Sequence, residues 1–215
     1  MKKFLAETLG TFVLVFMGTG AMILNQIYPE QVTHLGVSLA FGLSVSCMIF
    51  CIGKISGAHI NPAVSLAFAL EEKSGFKSPL LFMTAQVLGA ILASAFLRFL
   101  FPNSNTLGET LPKAGIFNSF LIEFLISFLL MFLIFSVAKG AKEKGLSAAW
   151  AIGAYVFLAA FVTGPLTGAS MNPARSIGPA LISGNLSTLW IYILATSLGT
   201  VSSIPLYKFL YKDIQ

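Results

Sequence analysis

Two tripeptides with the sequence Asn-Pro-Ala, at residues 61–63 and 172–174, carry the most defined chemistry in this chain. Asn is favoured immediately before a helix, and Pro is favoured at the first helical position. Asn61 and Asn172 are therefore each predicted to cap a helix through the side-chain oxygen, which leaves both amide NH2 groups as donors. The chemistry that such a pair offers is hydrogen bonding to a small polar molecule.

The residues around the two tripeptides are also alike. SGAHINPAVS at 56–65 and TGASMNPARS at 167–176 match at six of ten positions. The unwound segments before the two predicted helices can offer a row of carbonyl acceptors, from Gly57, Ala58, His59, Gly168, Ala169 and Ser170. Arg175 follows the second tripeptide directly and has no acidic neighbour in the sequence. A buried charge in a membrane segment is usually functional, so Arg175 is predicted to face the path of the permeant.

Membrane-spanning helices are the elements that must position these groups. Of the 215 residues, 56% are hydrophobic and only 10% are charged, whereas soluble domains have about 25% charged residues. A helix needs about 20 apolar residues to cross a bilayer. Six such runs are predicted, at 4–24, 35–53, 79–101, 116–138, 146–164 and 187–211. This composition excludes a soluble enzyme, a disordered chain and a nucleic-acid-binding module.

Two shorter apolar stretches, 62–70 and 173–182, begin at the Asn-Pro pairs and reach about half the bilayer at 1.5 Å per residue. Each copy of the repeat, about 1–101 and 116–211, then holds three spans and one half-helix. An odd number of spans inverts the second copy relative to the first. We therefore predict an all-α membrane protein, with one domain over 1–215, six transmembrane helices and two re-entrant half-helices.

Glu7 and Glu123 occupy equivalent positions in the two copies. Carboxylates inside a membrane are costly and could form a proton relay. Their equivalence favours a structural role instead, in which each accepts hydrogen bonds from backbone N–H groups of a re-entrant loop. For His59, a satisfied histidine beside the pore is the preferred interpretation, with pH sensing as the alternative.

The lysines predict the orientation in the membrane, since cytoplasmic loops carry an excess of Lys and Arg. With both termini in the cytoplasm, only Arg98, Lys113 and Arg175 fall outside. The cytoplasmic lysines would be Lys2, Lys3, Lys54, Lys73, Lys77, Lys139, Lys142, Lys144, Lys208 and Lys212.

Two opposed half-helix N-termini would place positive potential at the midplane, which opposes protons and metal cations. Central donors and acceptors along the walls suit small neutral molecules, so a passive path is predicted, with no cofactor and no metal. An inverted-repeat secondary transporter is the alternative, but it needs an ionisable pair beside the half-helices, and only Arg175 is offered. An enzyme needs a nucleophile and base or a metal cluster, which two histidines supply poorly. A junction-like structural protein with closed pores is a third interpretation.

The two boxes SGAHINPAV and TGASMNPARS, with AETLGTF at 6–12, LAFGLSV at 39–45 and AIG at 151–153, closely resemble the major intrinsic protein family, the aquaporins and aquaglyceroporins. The resemblance implies a right-handed six-helix bundle, a homotetramer with one pore per subunit, and an aromatic/arginine filter. The short termini resemble those of bacterial members, so the predicted location is a bacterial inner membrane, with the chain as a multi-pass protein. It assigns the pore motif to Asn61, Pro62, Ala63, Asn172, Pro173 and Ala174. It assigns the filter to Phe41, Ala160, Ala169 and Arg175. A register slip of one residue would place Phe161 in the filter instead of Ala160.

The sequence departs from two branches of that family. Water-selective members usually carry His where this chain has Ala160, and glycerol facilitators tend to carry Trp at 41 and Asp at 176. GPLTGASMNPARS and the WIY at 190–192 resemble nodulin-like intrinsic proteins, which pass glycerol and small uncharged hydroxides besides water. The resemblance therefore implies a channel for water and for small neutral solutes such as glycerol or metalloid hydroxides.

Overall fold

The computed structural model describes residues 1–73, 75, 77–139 and 146–212, without the side chains of residues 77, 78, 139 and 146. Lys142 and Lys144, which were assigned to a cytoplasmic loop, lie outside the described residues. Across those described ranges the chain forms helices and no strands, so the all-α fold class is confirmed. The helices are α1 (Lys2–Ile27), α2 (Pro29–Ser56), α3 (Pro62–Glu72), α4 (Lys77–Leu100), α5 (Ile116–Lys139), α6 (Leu146–Thr167), α7 (Pro173–Ser183) and α8 (Leu189–Leu210).

The six predicted spans correspond to α1, α2, α4, α5, α6 and α8, each long and apolar enough to cross a membrane. The largest boundary error is at α2, which begins at Pro29 rather than at residue 35. Proline favours the first helical turn, so the helix starts in polar sequence before the apolar run begins. Thr33 has non-helical backbone angles, φ 58° and ψ 163°, and it separates that first turn from the rest of α2 as a kink.

The two half-helices, α3 and α7, have 11 residues each, about 16 Å at 1.5 Å per residue. Both end on a residue in the left-handed conformation, Lys73 with φ 53° and Gly184 with φ 87°. Both pack between α4 and α8, and they touch each other. Two half-length helices therefore share the interior of a bundle whose other helices span it.

The spanning helices pack in two sets, α1 with α2 and α4, and α5 with α6 and α8. The sets meet where α2 crosses α6, at Gly42 and Gly153. A Cβ at Gly42 would lie 2.6 Å from the Gly153 carbonyl oxygen, and a Cβ at Gly153 would lie 2.5 Å from the Gly42 carbonyl oxygen. Only glycine allows the two backbones to come this close, so this pair fixes the distance between α2 and α6 at the crossing.

The exposed side chains are more apolar than those of a soluble protein, and several charged side chains are buried. Large apolar side chains such as Phe99, Phe117 and Phe209 are at least 71% exposed, whereas Glu7 and Arg175 are at most 1% exposed. A hydrocarbon environment favours this arrangement, because apolar surface costs nothing there while buried polar groups can satisfy one another. The chain is a multi-pass membrane protein in which polar and charged groups are buried within an otherwise apolar interior.

Candidate functional site

Asn61 and Asn172 begin the two half-helices with extended backbone angles. The Oδ1 atom of Asn61 accepts from the Ala63 N–H at 2.9 Å, and that of Asn172 accepts from the Ala174 N–H at 3.0 Å. These are the N-caps that the sequence predicts. Pro62, Ala63, Pro173 and Ala174 are buried in the first turns of α3 and α7, where they start the helices.

The side-chain amides of the two asparagines bind across the centre of the molecule. Nδ2 of Asn61 donates to the Met171 carbonyl at 2.7 Å, and Nδ2 of Asn172 donates to the Ile60 carbonyl at 2.8 Å. The prediction that both amide groups are free donors is wrong for one hydrogen of each. An amide carries two hydrogens, so one per asparagine remains for a molecule in the adjoining cavity.

A cavity of about 150 Å³ runs past both asparagines. Its wall includes five of the six residues whose carbonyl groups are predicted to be acceptors along the path: Gly57, Ala58, His59, Ala169 and Ser170. Gly168 is not on the wall; it packs on Thr110, 3.1 Å from where its Cβ would lie. Within the described part of the chain, no group donates to the carbonyl oxygens of residues 57–59 or 168–170. The wall therefore carries unused acceptors on both sides of the asparagine pair.

The four predicted filter residues, Phe41, Ala160, Ala169 and Arg175, all line this cavity. Phe161 does not line it, and the Phe161 side chain is 45% exposed on the outer surface of the bundle. The register of α6 thus puts the methyl group of Ala160, rather than a phenyl ring, on the cavity wall. Between them, Ala160 and Ala169 present little more than two methyl groups.

Arg175 is 1% exposed, and its guanidinium lies 4.9 Å from the centre of the Phe41 ring. Nη1 donates to the Gly108 carbonyl at 2.8 Å, and Nη2 donates to the sulfur of Met22 at 2.9 Å. Nε has no hydrogen-bond partner among the described residues. The cation is thus held by neutral groups, which leaves its positive charge uncompensated by any carboxylate in contact with it.

The contacts of Met22 and Gly108 with Arg175 were missed by the sequence analysis. Gly108 lies in the loop between α4 and α5, where Leu107 and Gly108 both have positive φ and Leu107 is fully buried. Glycine adopts positive φ without strain, so Gly108 is the local sequence feature that favours a turn here, and this turn brings its carbonyl to Arg175. The contact of Met22 with a residue 153 positions later has no counterpart in local sequence.

Glu7 and Glu123 are fully buried and do not line the cavity. Glu7 accepts from the backbone N–H groups of His59 at 3.0 Å and Ile60 at 2.7 Å. Glu123 accepts from the N–H groups of Ser170 at 2.8 Å and Met171 at 3.0 Å. Each carboxylate therefore holds the loop segment just before an Asn-Pro pair.

Further donors complete each anchor. Ser56 and Gln86 donate to Glu7 at 2.6 Å and 2.7 Å, and Thr167 donates to Glu123 at 2.7 Å. The two halves thus use the same device with different side chains, four donors on Glu7 and three on Glu123. Backbone groups that hydrocarbon could not satisfy are satisfied here by buried carboxylates.

His59 lies on the cavity wall and is packed among aromatic rings. Its ring is stacked on Phe68 at 4.8 Å and meets Phe82 edge-on at 5.2 Å. Its Nδ1 lies 3.1 Å from the Ser65 hydroxyl. Ser170 holds the equivalent position in the second half and contacts the Ser176 hydroxyl at 2.6 Å. These contacts fit the interpretation of His59 as a satisfied histidine beside the path.

The rest of the wall is apolar, with Val45, Ile152 and Val156 among its members. Arg175 and His59 are its ionisable residues within the part of the chain that the structure describes, and no carboxylate joins them. Among the described residues, no three His, Cys, Asp or Glu lie close enough together to hold a metal ion. The cavity therefore combines a few polar groups with walls that are otherwise apolar.

The sequence model of the major intrinsic protein family matches residues 1–207. Aquaporin NIP1-1 of Zea mays is 40% identical over 209 residues, which cover 97% of this chain and 74% of that protein. Nodulin-26 of Glycine max is 38% identical over 209 residues, 97% of this chain and 77% of that protein. The solved structure of the aquaglyceroporin from Plasmodium falciparum superposes with a TM-score of 0.88 at 25% identity, over 96% of this chain and 94% of that one.

Proposed function

The chain belongs to the major intrinsic protein family, and on that premise we propose that it is a passive transmembrane channel for water and small neutral solutes. The observation that carries this proposal is the cavity that passes both asparagine amides, with unused carbonyl acceptors before each of them. The names of its relatives, aquaporins of the NIP type and an aquaglyceroporin, support the same function.

Water would cross by exchanging hydrogen bonds along one line. The carbonyls of residues 57–59, 169 and 170 accept from it, and the free hydrogen of each asparagine amide donates to it at the centre. The apolar side chains opposite offer no competing partner, so a molecule can leave each site as easily as it enters. Conduction then needs neither a coupled ion nor a conformational cycle.

Ions would be excluded by charge and by desolvation. The N-termini of α3 and α7 meet at the centre, and each carries partial positive charge that raises the energy of a proton or metal cation. Arg175 adds a full positive charge at the filter without a carboxylate to offset it. Anions must lose their hydration in a path with mostly apolar walls, and the free energy of that desolvation exceeds the attraction to Arg175.

The filter composition supports a range of solutes wider than water. Ala160 and Ala169 contribute only methyl groups to the cavity wall, which they share with Phe41 and Arg175. Larger side chains at these two positions would narrow the path. A filter of this kind gives polyols such as glycerol an apolar face for their carbon chain and a donor, Arg175, for their hydroxyl groups. We include glycerol, urea and uncharged metalloid hydroxides in the proposed substrates.

In this proposal Phe41, Ala160, Ala169 and Arg175 select the solute, and Asn61 and Asn172 orient it at the centre. Glu7 and Glu123 act as structural anchors of the two loops. The family is one of channel proteins, and the proposal includes no catalytic residue. The transporter alternative has no carboxylate on the described cavity wall to bind a coupled cation.

The proposal extends to assembly and orientation. A homotetramer with one path per subunit is proposed because this assembly is typical of the family to which the chain belongs. The lysine distribution supports an orientation with both termini in the cytoplasm, and the proposed location is a bacterial inner membrane. The inverted repeats of about 1–101 and 116–211 form one channel domain over 1–215.

Solute flux into proteoliposomes separates a channel from a transporter. A channel gives glycerol flux that rises linearly with the gradient and is unaffected by proton or sodium gradients. Saturating flux, or flux that a proton or sodium gradient drives uphill, would contradict the proposal. Empty liposomes of the same lipid are the control.

A further inference from the structure

Pro165 lies inside α6 and has no backbone N–H. In a continuous helix, the N–H of residue 165 would donate to the carbonyl of Phe161, four residues earlier. That carbonyl lies six residues before the end of the membrane-spanning helix α6, and Pro165 leaves it without its helical donor. The sequence of α6 therefore creates a demand for a donor from elsewhere.

His34 of α2 supplies that donor. Its Nε2 lies 2.7 Å from the Phe161 carbonyl oxygen, although the residues are 127 positions apart. A carbonyl oxygen can only accept, so Nε2 must carry the hydrogen. Imidazole thus takes the place of the peptide N–H that Pro165 lacks.

The surface of α6 fits the imidazole ring closely. Gly164 leaves room for it, because a Cβ there would lie 2.9 Å from Cε1 of His34. The Phe161 ring stacks on it with centroids 5.5 Å apart and planes 18° from parallel. The carbonyl and the ring of Phe161 and the missing side chain of Gly164 therefore all face the same imidazole on α2.

The contact between His34 and Phe161 lies beside the filter on α6 and about two helical turns from it on α2. Phe161 directly follows Ala160, and His34 lies seven residues, about two helical turns, before Phe41. The crossing at Gly42 and Gly153 fixes α2 against α6 at one point, and the His34 contact fixes them at a second point. Two fixed points determine how far apart the helices are where Phe41 and Ala160 face the path.

We propose that His34 is a positioning residue of the filter: it replaces the backbone donor that Pro165 removes and thereby sets the aperture between Phe41 and Ala160. The inference rests on the proposed channel function and adds to it a residue that does not touch the solute. Removal of the donor should let the end of α6 shift, so that solute selection changes while the asparagine pair stays intact.

The test is a double-mutant cycle, because Pro165→Ala returns the N–H to the Phe161 carbonyl from within α6. In proteoliposomes, His34→Ala should change the ratio of glycerol to water permeability by about threefold or more. In the Pro165→Ala background the same substitution should change that ratio by less than about 1.5-fold, because the carbonyl is already satisfied. His34→Gln, which keeps a side-chain donor, should retain more of the wild-type ratio than His34→Ala.

Equal effects of His34→Ala in both backgrounds, or no effect in either, would overturn the inference. If His34→Ala does not assemble on its own, the inference requires the double variant to assemble, and failure of the double variant while Pro165→Ala alone assembles would overturn it as well. Failure of the channel proposal itself gives a different result, since wild-type protein would then be no more permeable than empty liposomes.

Discussion

Asn61 donates its side-chain amide to the backbone carbonyl of Met171 across 2.7 Å, although the two residues are 110 positions apart. The reciprocal bond joins Asn172 to Ile60 at 2.8 Å. Each re-entrant loop is therefore held by the cap residue of the other. One amide hydrogen per asparagine is committed to structure and one is left for the permeant.

The first prediction concerns Arg175→Val, which removes the charge and the donor at the filter. Because neutral groups hold the guanidinium, no buried carboxylate in contact with it is left unpaired, so the fold should survive. Cation or proton leak into liposomes should rise by about tenfold, which corresponds to a barrier lowered by about 1.4 kcal/mol.

Arg98→Val is the matched control for Arg175→Val. Arg98 donates to the carbonyls of Pro102 and Ser104 and does not line the cavity. Its loss should leave the leak at the wild-type level. A leak that is unchanged in Arg175→Val, or equal in the two variants, would contradict the filter role of Arg175.

The second prediction compares the two carboxylate anchors. Each carboxylate oxygen of Glu7 accepts two hydrogen bonds, so Glu7→Gln replaces an acceptor of two bonds with an NH2 group whichever way the amide is turned. Oε2 of Glu123 accepts only from Met171, so in Glu123→Gln the NH2 group can take that position and remove the acceptor of a single bond. Each donor that is left buried and unpaired costs about 1–3 kcal/mol. Glu7→Gln should therefore lower the melting temperature of the purified protein more than Glu123→Gln does.

Glu30→Gln, at an exposed position, should leave the melting temperature unchanged. The anchors should affect stability and yield rather than the ranking of solutes. A stable Glu7 variant with a new solute preference would argue for a role of this carboxylate in conduction.

The third prediction concerns the size of the filter. Ala160→His adds a ring and a polar group where a methyl group lines the cavity. Glycerol permeability should fall by about tenfold or more, while water, which needs less width, should keep most of its permeability.

Val162→His is the control for Ala160→His, because the Val162 side chain is 67% exposed and does not line the cavity. That substitution places the same ring two residues further along α6 and should leave the ratio of glycerol to water permeability near wild type. An unchanged glycerol permeability in Ala160→His, or an equal fall in the two variants, would contradict the assignment of Ala160 to the filter.

Repeated local patterns made much of this architecture predictable from sequence. An Asn-Pro pair specifies a helix start by itself, and apolar runs specify spans through their length, so both half-helices and six spans were found. Their ends were less accurate because a helix continues into polar sequence, as α2 does from Pro29. Equivalent placement in the two copies was enough to predict that Glu7 and Glu123 hold the loops.

Contacts between distant segments were not predictable in the same way. Met22 on Arg175 and His34 on Phe161 join residues 153 and 127 positions apart, and neither pair belongs to the repeated motif. Such contacts depend on how the helices are placed against one another, which hydrophobic periodicity does not specify. Pro165 was the one available signal for His34, since a proline within a helix leaves a carbonyl that needs a donor.

The most direct test of the central claim is stopped-flow light scattering of proteoliposomes that contain the purified chain. Osmotic shrinkage measures water permeability, and the subsequent reswelling measures entry of glycerol or urea. The account predicts water permeability well above that of empty liposomes, faster reswelling in glycerol, and no increase in proton or sodium conductance. Water permeability equal to that of empty liposomes, or a conductance for ions alongside it, would contradict a passive channel selective for neutral molecules.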